Sequence, residues 1–340
     1  MADDAAAPSA SDASTAPVLA VTDLVVTLRA RGRTATILDG VSISVDPGET
    51  VALVGESGAG KTVLALAVMG LLPGGMGIDA GSVRVGGDEL VDAPDEVVRS
   101  KRGGEMAMIF QDPQSSLHPA FRVGAQVAEA IRAHDTHASK AAAAARAVEL
   151  LRRVGIPQAE TRARDYPHQL SGGMRQRVMI AMAMANGPRL LIADEATTAL
   201  DVTVQAQVLD VLRAAQAATG AAMLVVTHDL GVVASIADRV VVMYSGRIAE
   251  AGTVDAVLGA PAHPYTQGLL AAVPRLTSGD APVQAIAGQP PSPFARPSGC
   301  AFHPRCASAD DRCSTEVPAL LARSGAEARA VACHHVDAPR

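Results

Sequence analysis

Tryptophan is missing from this 340-residue chain, and aromatic residues make up only 2% of it. Single-stranded nucleic-acid binders stack successive bases on aromatic rings, and this chain has little with which to build such a platform. Positive charge is not in excess either: 29 Lys and Arg stand against 35 Asp and Glu, for a formal net charge of −6. Arg152, Arg153, Arg162 and Arg164 therefore read as a solvated face, and nucleic acid is not an expected partner. No apolar run reaches the length of a membrane span. The densest, Val178 to Ala185, is eight residues long, too short to cross a bilayer. The first residues, Met1 to Pro17, are rich in Ala, Ser, Asp and Pro and lack the basic start and apolar core of a signal peptide. They read as a disordered tail. The expectation is a cytosolic protein, with any membrane attachment made through partners. Cysteine is absent before position 300.

What is present is a large apolar fraction, 49%, in a chain long enough for one large core or two domains. Val18 to Leu28 and Ile37 to Val45 read as strands around a turn near Arg31 to Thr34. Thr50 to Val54 reads as a buried strand running into Gly55-Glu56-Ser57-Gly58-Ala59-Gly60-Lys61-Thr62, with a helix from Thr62 to about Leu71. Further strands are expected at Ser82–Val85, Glu105–Phe110, Leu190–Ala193, Ala222–Val226 and Val240–Tyr244. Helices are expected at Ser171–Asn186, Val202–Ala218 and Val232–Ala237. Between Asp112 and Tyr166 the pattern is helical, and Ser139 can cap a helix through about Val154. Alternating strands and helices imply an α/β domain with a largely parallel sheet. After Pro274 the composition breaks, and Gly288 to Gly299 reads as a proline-rich linker.

The glycine loop has the context its chemistry requires, a strand before and a helix after. Gly55, Glu56, Ser57, Gly58, Ala59 and Gly60 can wrap backbone N–H groups around phosphates, with Val63 in the first helical turn. Gly58 and Gly60 allow close approach, and the helix N-terminus adds its dipole. Lys61 brings a cation to the phosphates, and Thr62 offers a hydroxyl to Mg²⁺. Downstream, Arg189-Leu190-Leu191-Ile192-Ala193-Asp194-Glu195 is an apolar strand ending in two carboxylates. Asp194 is placed to hold Mg²⁺, and Glu195 to polarise an attacking water as general base. A second glycine-rich stretch, Leu170-Ser171-Gly172-Gly173-Met174-Arg175-Gln176, opens a helix of its own. It makes sense as a second anion-binding surface, reading nucleotide held by a partner.

With both stretches on one chain, the sequence resembles the ATP-binding subunits of ABC transporters, most closely the oligopeptide/dipeptide importer branch, over about residues 18 to 335. The resemblance implies a P-loop ATPase core at 18–274 with a helical signature subdomain at about 112–186 and an N-terminal β subdomain. A small cysteine-ligated extension at 275–340 completes the α/β fold. It also implies roles. Gln111, in Met108-Ile109-Phe110-Gln111-Asp112-Pro113, contacts Mg²⁺ and the attacking water. Ser171, Gly172 and Gly173 bind the γ-phosphate of ATP held by the opposite subunit. Asp201, in Thr198-Ala199-Leu200-Asp201, belongs to the loop at the dimer interface, and His228 is the switch histidine. Pro113 to Glu129 docks the membrane subunit. The implied partners are a second ABC ATPase subunit, identical or homologous, two transmembrane permease subunits and an extracytoplasmic solute-binding protein. The implied place is the cytoplasmic face of the cell membrane. One position departs from the family: its adenine-stacking aromatic falls at Leu28, which can pack on a purine without ring-on-ring stacking.

Cys300, Cys306, Cys313 and Cys333 fall in the last 41 residues. Cytosolic chains gain little from disulfides, so four thiols in one tail suggest a metal or cluster. Their spacing lacks the C-x-x-C hairpin of many zinc sites. The stretch Pro297 to Cys306 resembles a region that in some peptide-importer ATPases carries a [4Fe–4S] cluster. Zn²⁺ stays open as the alternative, with His303, His334 and His335 as further ligands, as does an unmetallated tail. Pro261 to Leu270 (PAHPYTQGLL) also resembles that branch, with no chemistry assigned to it. Same-branch importers of nickel, glutathione or sugar are alternatives for the solute. A non-transport ABC ATPase would insert long coiled coils between Lys61 and Ser171, and no heptad stretch stands there.

Overall fold

The computed structural model describes residues 16–112, 116–197, 201–273, 285–323 and 329–336. The expected N-terminal tail therefore lies outside the described residues up to residue 15, as do 113–115 and the Thr198-Ala199-Leu200 lead-in to Asp201.

Two sheets carry the chain. β1 (Leu19–Ala30), β2 (Arg33–Val45), β4 (Met76–Val85) and β5 (Asp88–Glu89) form a four-stranded antiparallel sheet in the order β2-β1-β4-β5. The larger sheet comprises β3 (Thr50–Val54), β6 (Met106–Ile109), β7 (Leu190–Asp194), β8 (Ala222–Val226), β9 (Arg239–Tyr244), β10 (Arg247–Thr253), β11 (Leu321–Ala322) and β12 (Ala330–Val331). Its order is β11-β12-β10-β9-β3-β8-β7-β6. The five strands β9, β3, β8, β7 and β6 run parallel, and β10 returns antiparallel to β9. β3, β7 and β8 are buried along their whole length. That explains their unbroken apolar sequence: strands covered on both faces need no polar alternation.

One apolar cluster fills the space between the two sheets around Leu24, Leu38, Leu53, Leu64 and Leu224. A second lies on the other face of the large sheet and extends among the helices Val123–His134, Lys140–Arg153 and Gly172–Ala183. Ser139 caps Lys140–Arg153 as expected, its side chain accepting from the Ala142 N–H. The buried face of that helix carries Ala143, Ala147 and Leu151.

The C-terminal segment does not stand apart from the core. β12 pairs with β10, β11 pairs with β12, and both extend the sheet that carries the glycine loop. Glu250, fully buried on β10, accepts the guanidinium of Arg329 and the backbone N–H groups of Ala262 and His263. A third apolar cluster joins β3 and β9 residues Val54 and Val242 to Tyr265, Ala301 and Phe302.

Candidate functional site

The glycine loop leaves the C-terminal end of β3, which lies between the parallel strands β9 and β8, on the edge where open α/β sheets bind ligands. Its backbone needs glycine at two points. A Cβ on Gly55 would stand 2.3 Å from the Met243 carbonyl oxygen, and Gly60, at φ 104°, caps the helix Lys61–Val68 in the left-handed region. Lys61 is buried, and its Nζ donates to the carbonyls of Gly55 (2.7 Å) and Glu56 (3.0 Å). Burial lowers its pKa, opposed by the nearby carboxylates of Glu195, Asp194 and Glu56. The ammonium is thus folded over its own loop, close to three negative charges.

β7 brings Asp194 and Glu195 to the same end of the sheet. The Thr62 hydroxyl donates to Asp194 Oδ1 at 3.2 Å, which puts two hard oxygen donors side by side at the head of the helix. Such a pair fits Mg²⁺, which is held by a few protein oxygens and otherwise by water and phosphate. Burial raises the Asp194 pKa, with Thr62 opposing; a cation would favour the ionised form.

Glu195 turns out of the strand at φ 47°, a left-handed conformation costly for a non-glycine residue, held by its N–H on the Val226 carbonyl (2.8 Å). Its carboxylate is the hub of the site. Oε2 accepts from Gln111 Nε2 at 2.7 Å, and Oε1 lies 3.3 Å from His228 Nδ1. Gln111 follows β6 and His228 follows β8, so three neighbouring strand ends meet at one carboxylate. The structure therefore brings together Lys61, Thr62, Asp194, Glu195, Gln111 and His228.

It does not bond Ser171, Gly172, Gly173 or Asp201 to them among the described residues. Ser171 is exposed and caps the helix Gly172–Ala183, accepting from the Met174 N–H. Asp201 is exposed and caps the helix Val202–Thr219 in the same way through the Val204 N–H. The two caps are neighbours: a Cβ on Gly173 would stand 2.4 Å from the Val204 side chain. Val202, beside Asp201, is 82% exposed. Leu28 is half-buried and pairs with Ala35 and Met76.

Glu56 behaves differently from its loop neighbours. Its N–H donates to Tyr265 Oη, and its carboxylate pairs with Arg305. Sequence reasoning missed both partners, because the separations are 209 and 249 residues and no local pattern announces either contact.

In the tail, none of the four cysteines forms a disulfide among the described residues. Cys300 N–H donates to the Cys313 carbonyl at 2.8 Å, and the His335 N–H donates to Cys333 Sγ at 3.4 Å. Burial pushes the Cys300 thiol up, and the nearby thiols of Cys333 and Cys306 push the same way. Among the described residues no three sulfurs lie within 4.8 Å of one another; the close trio is Asp310, Cys313 and His335. His303 and His334 instead direct ring nitrogens at the carbonyls of Cys300 (2.9 Å) and Glu316 (3.0 Å).

Comparison with known proteins accounts for this assembly. The family described as ABC transporter matches residues 38–198, and the oligopeptide/dipeptide transporter C-terminal region matches 249–313. The chain is 46% identical over 298 residues to the dipeptide transport ATP-binding protein DppD of Escherichia coli, covering 88% of this chain and 90% of that one. This chain belongs to the ABC transporter family. It is also 52% identical over 306 residues to the oligopeptide transport ATP-binding protein OppD of Mycobacterium tuberculosis, but those residues span only half of that longer relative. OppD of Bacillus subtilis is 49% identical over 84% of this chain and 80% of its own length. Among solved structures, a dimeric ATP-binding cassette in a post-hydrolysis state with ADP and Pi superposes with a TM-score of 0.62 at 25% identity. It covers 69% of this chain and 98% of that one. No described helix is long and apolar enough to cross a membrane.

Proposed function

We propose that this chain is the ATP-hydrolysing subunit of an ABC importer that powers uptake of oligopeptides or dipeptides. The observation that carries the reading is the similarity to a dipeptide transport ATP-binding protein along nearly the whole of both chains. The match to the oligopeptide/dipeptide C-terminal region supports the choice of solute. Its partners are two permease subunits, an extracytoplasmic binding protein and a second ATPase. It sits peripherally on the cytoplasmic face of the membrane, held through the permeases. Phe121, 56% exposed between β6 and the helix Val123–His134, supports a docking surface near Pro113 to Glu129.

In this reading the Gly55–Thr62 loop binds the triphosphate, and Lys61 leaves its own carbonyls for the phosphate oxygens. Thr62 and Asp194 hold Mg²⁺, which supplies charge neutralisation at the phosphates. Glu195 accepts a proton from the attacking water, Gln111 orients that water, and His228 contacts the γ-phosphate. General-base action by one carboxylate is worth roughly 10²–10⁴-fold. Ser171 and Asp201 sit on a separate exposed surface, which supports a head-to-tail dimer in which each signature serine reads the ATP of the mate. Hydrolysis removes the shared γ-phosphate, and closure is driven only by the difference in affinity between closed and open states.

The four cysteines are the ligands of a [4Fe–4S] cluster in this reading. Four thiols within the last 41 residues are what supports a metal or cluster site there. Reconstitution with the cognate permeases in proteoliposomes tests the whole assignment. ATP-dependent uptake of a labelled peptide is expected, and uptake of nickel or glutathione in its place would move the chain to another solute.

A further inference from the structure

Two sequence motifs have no part in the ATP chemistry above: His263-Pro264-Tyr265, opening the helix Pro264–Ala271, and His303-Pro304-Arg305-Cys306 in the tail. Both converge on Glu56, the second residue of the phosphate loop. From one side, Tyr265 Oη accepts the Glu56 N–H at 2.7 Å. From the other, the Arg305 guanidinium grips the carboxylate with two bonds, Nη1 to Oε2 at 2.6 Å and Nη2 to Oε1 at 3.0 Å. The Glu56 carbonyl in turn receives Lys61 Nζ. Glu56 is thus held at its N–H and its side chain while its oxygen holds the phosphate-binding lysine.

The grip is built. The Arg305 side chain is only 5% exposed. Its guanidinium also donates to Tyr244 Oη (3.2 Å) and to the carbonyl of Ala287 (2.9 Å), and lies 5.8 Å from the Tyr244 ring centroid and 5.9 Å from that of Phe302. Tyr265 is fully buried, its ring 4.6 Å from Tyr244 and 5.4 Å from Phe302. His263 Nδ1 accepts the Tyr265 N–H at 3.0 Å and fixes the start of that helix. A forked pair between planar groups sets direction as well as distance. A loop fixed before its ligand arrives spends less of the binding energy on being ordered.

We propose that Arg305 and Tyr265 are positioning residues of the nucleotide site: they hold Glu56, and so preset the phosphate loop and Lys61 for MgATP. The C-terminal extension is then a working part of the ATP site as well as a tether. The proposal rests on the reading of Gly55–Thr62 as that site. Its test is MgATP affinity of the full chain, with steady-state KM and kcat, for wild type, Arg305→Gln, Glu56→Gln, the double variant and Tyr265→Phe. The Arg305 and Glu56 changes are each expected to raise Kd and KM by roughly tenfold, the scale of a charge-assisted hydrogen bond, and Tyr265→Phe, which loses a neutral one, by about threefold, all with kcat within twofold. The double variant is expected to be no worse than either of its parents. Glu56→Gln acts from the loop side and leaves the tail intact, so misfolding of the Arg305 variant does not remove the test. Wild-type Kd and KM in the single variants, even with lowered thermal stability, would reduce the contact to a tether and overturn the proposal. So would additive losses in the double variant. Wild-type protein that fails to bind MgATP overturns the nucleotide reading beneath it.

Discussion

Replacing Glu195 with glutamine isolates the proton-accepting role proposed for it from everything else the site does. The side chain is 17% exposed and is fixed from both sides, by Gln111 Nε2 on Oε2 and His228 Nδ1 near Oε1. Glutamine keeps the shape and one acceptor oxygen, so the contact with Gln111 survives by rotation of the amide. What is lost is the ability to take a proton from water. That contribution is about 10²–10⁴-fold, or about 3–5 kcal/mol of barrier at 1.36 kcal/mol per factor of ten. Binding is expected to be unchanged, because Lys61, Thr62 and Asp194 are untouched. Phosphate release under steady-state conditions reads the rate, and fluorescent-nucleotide titration reads the affinity. Turnover within threefold of wild type would remove Glu195 from the mechanism. A parallel collapse of ATP affinity would show that the carboxylate acts by holding the site together.

Ser171→Arg is expected to leave ATP binding by the monomer intact and to abolish the ATP-dependent dimer, read by gel filtration with and without MgATP; loss of monomer binding would place the serine in its own site. Protein purified without oxygen is expected to be brown, with about four irons per chain; colourless protein carrying one zinc would refute the cluster. Arg329→Met leaves the carboxylate of Glu250 buried with two backbone donors among the described residues, and a stability loss of roughly 3–5 kcal/mol is expected by denaturant unfolding; a change below about 1 kcal/mol would contradict that geometry. Burial pushes His263 down to about 4, opposed by Glu250. Since the unfolded histidine titrates near 6.5, the unfolded state binds the extra proton between those values. Stability is therefore expected to fall as pH drops from about 6.5 to 4, by at most about 3 kcal/mol from this residue, and to fall less in a His263→Asn variant.

The elements that carry the candidate site were legible because each is a local stretch of sequence. β3, its glycine loop and the following helix form one continuous stretch, and β8 was expected with the bounds it has. Asp194 and Glu195 end a strand whose buried, unbroken apolar run announces it. The strands that close the sheet were not legible. β10, at Arg247–Thr253, mixes charged and glycine positions, and β11 and β12 are two residues each, too short for any periodicity. They exist because tertiary pairing supplies what local propensity does not. β4 begins at Met76 for the same reason, its glycine-containing first half being held against β1. A tail that read as a separate extension is thereby stitched into the sheet beneath the phosphate loop. Glu56 read as one more loop residue, since its partners Tyr265 and Arg305 are over 200 residues away in sequence. Ser171 and Asp201 are a different matter: a single protomer shows them as helix caps, and their expected ligand lies on another molecule.

The most direct measurement is therefore a structure of the Glu195→Gln protein trapped with MgATP. The account predicts a dimer in which the γ-phosphate bound by the Lys61 loop of one protomer lies within hydrogen-bond distance of Ser171 of the partner subunit. A monomer, or a dimer with Ser171 facing solvent away from any phosphate, would contradict it.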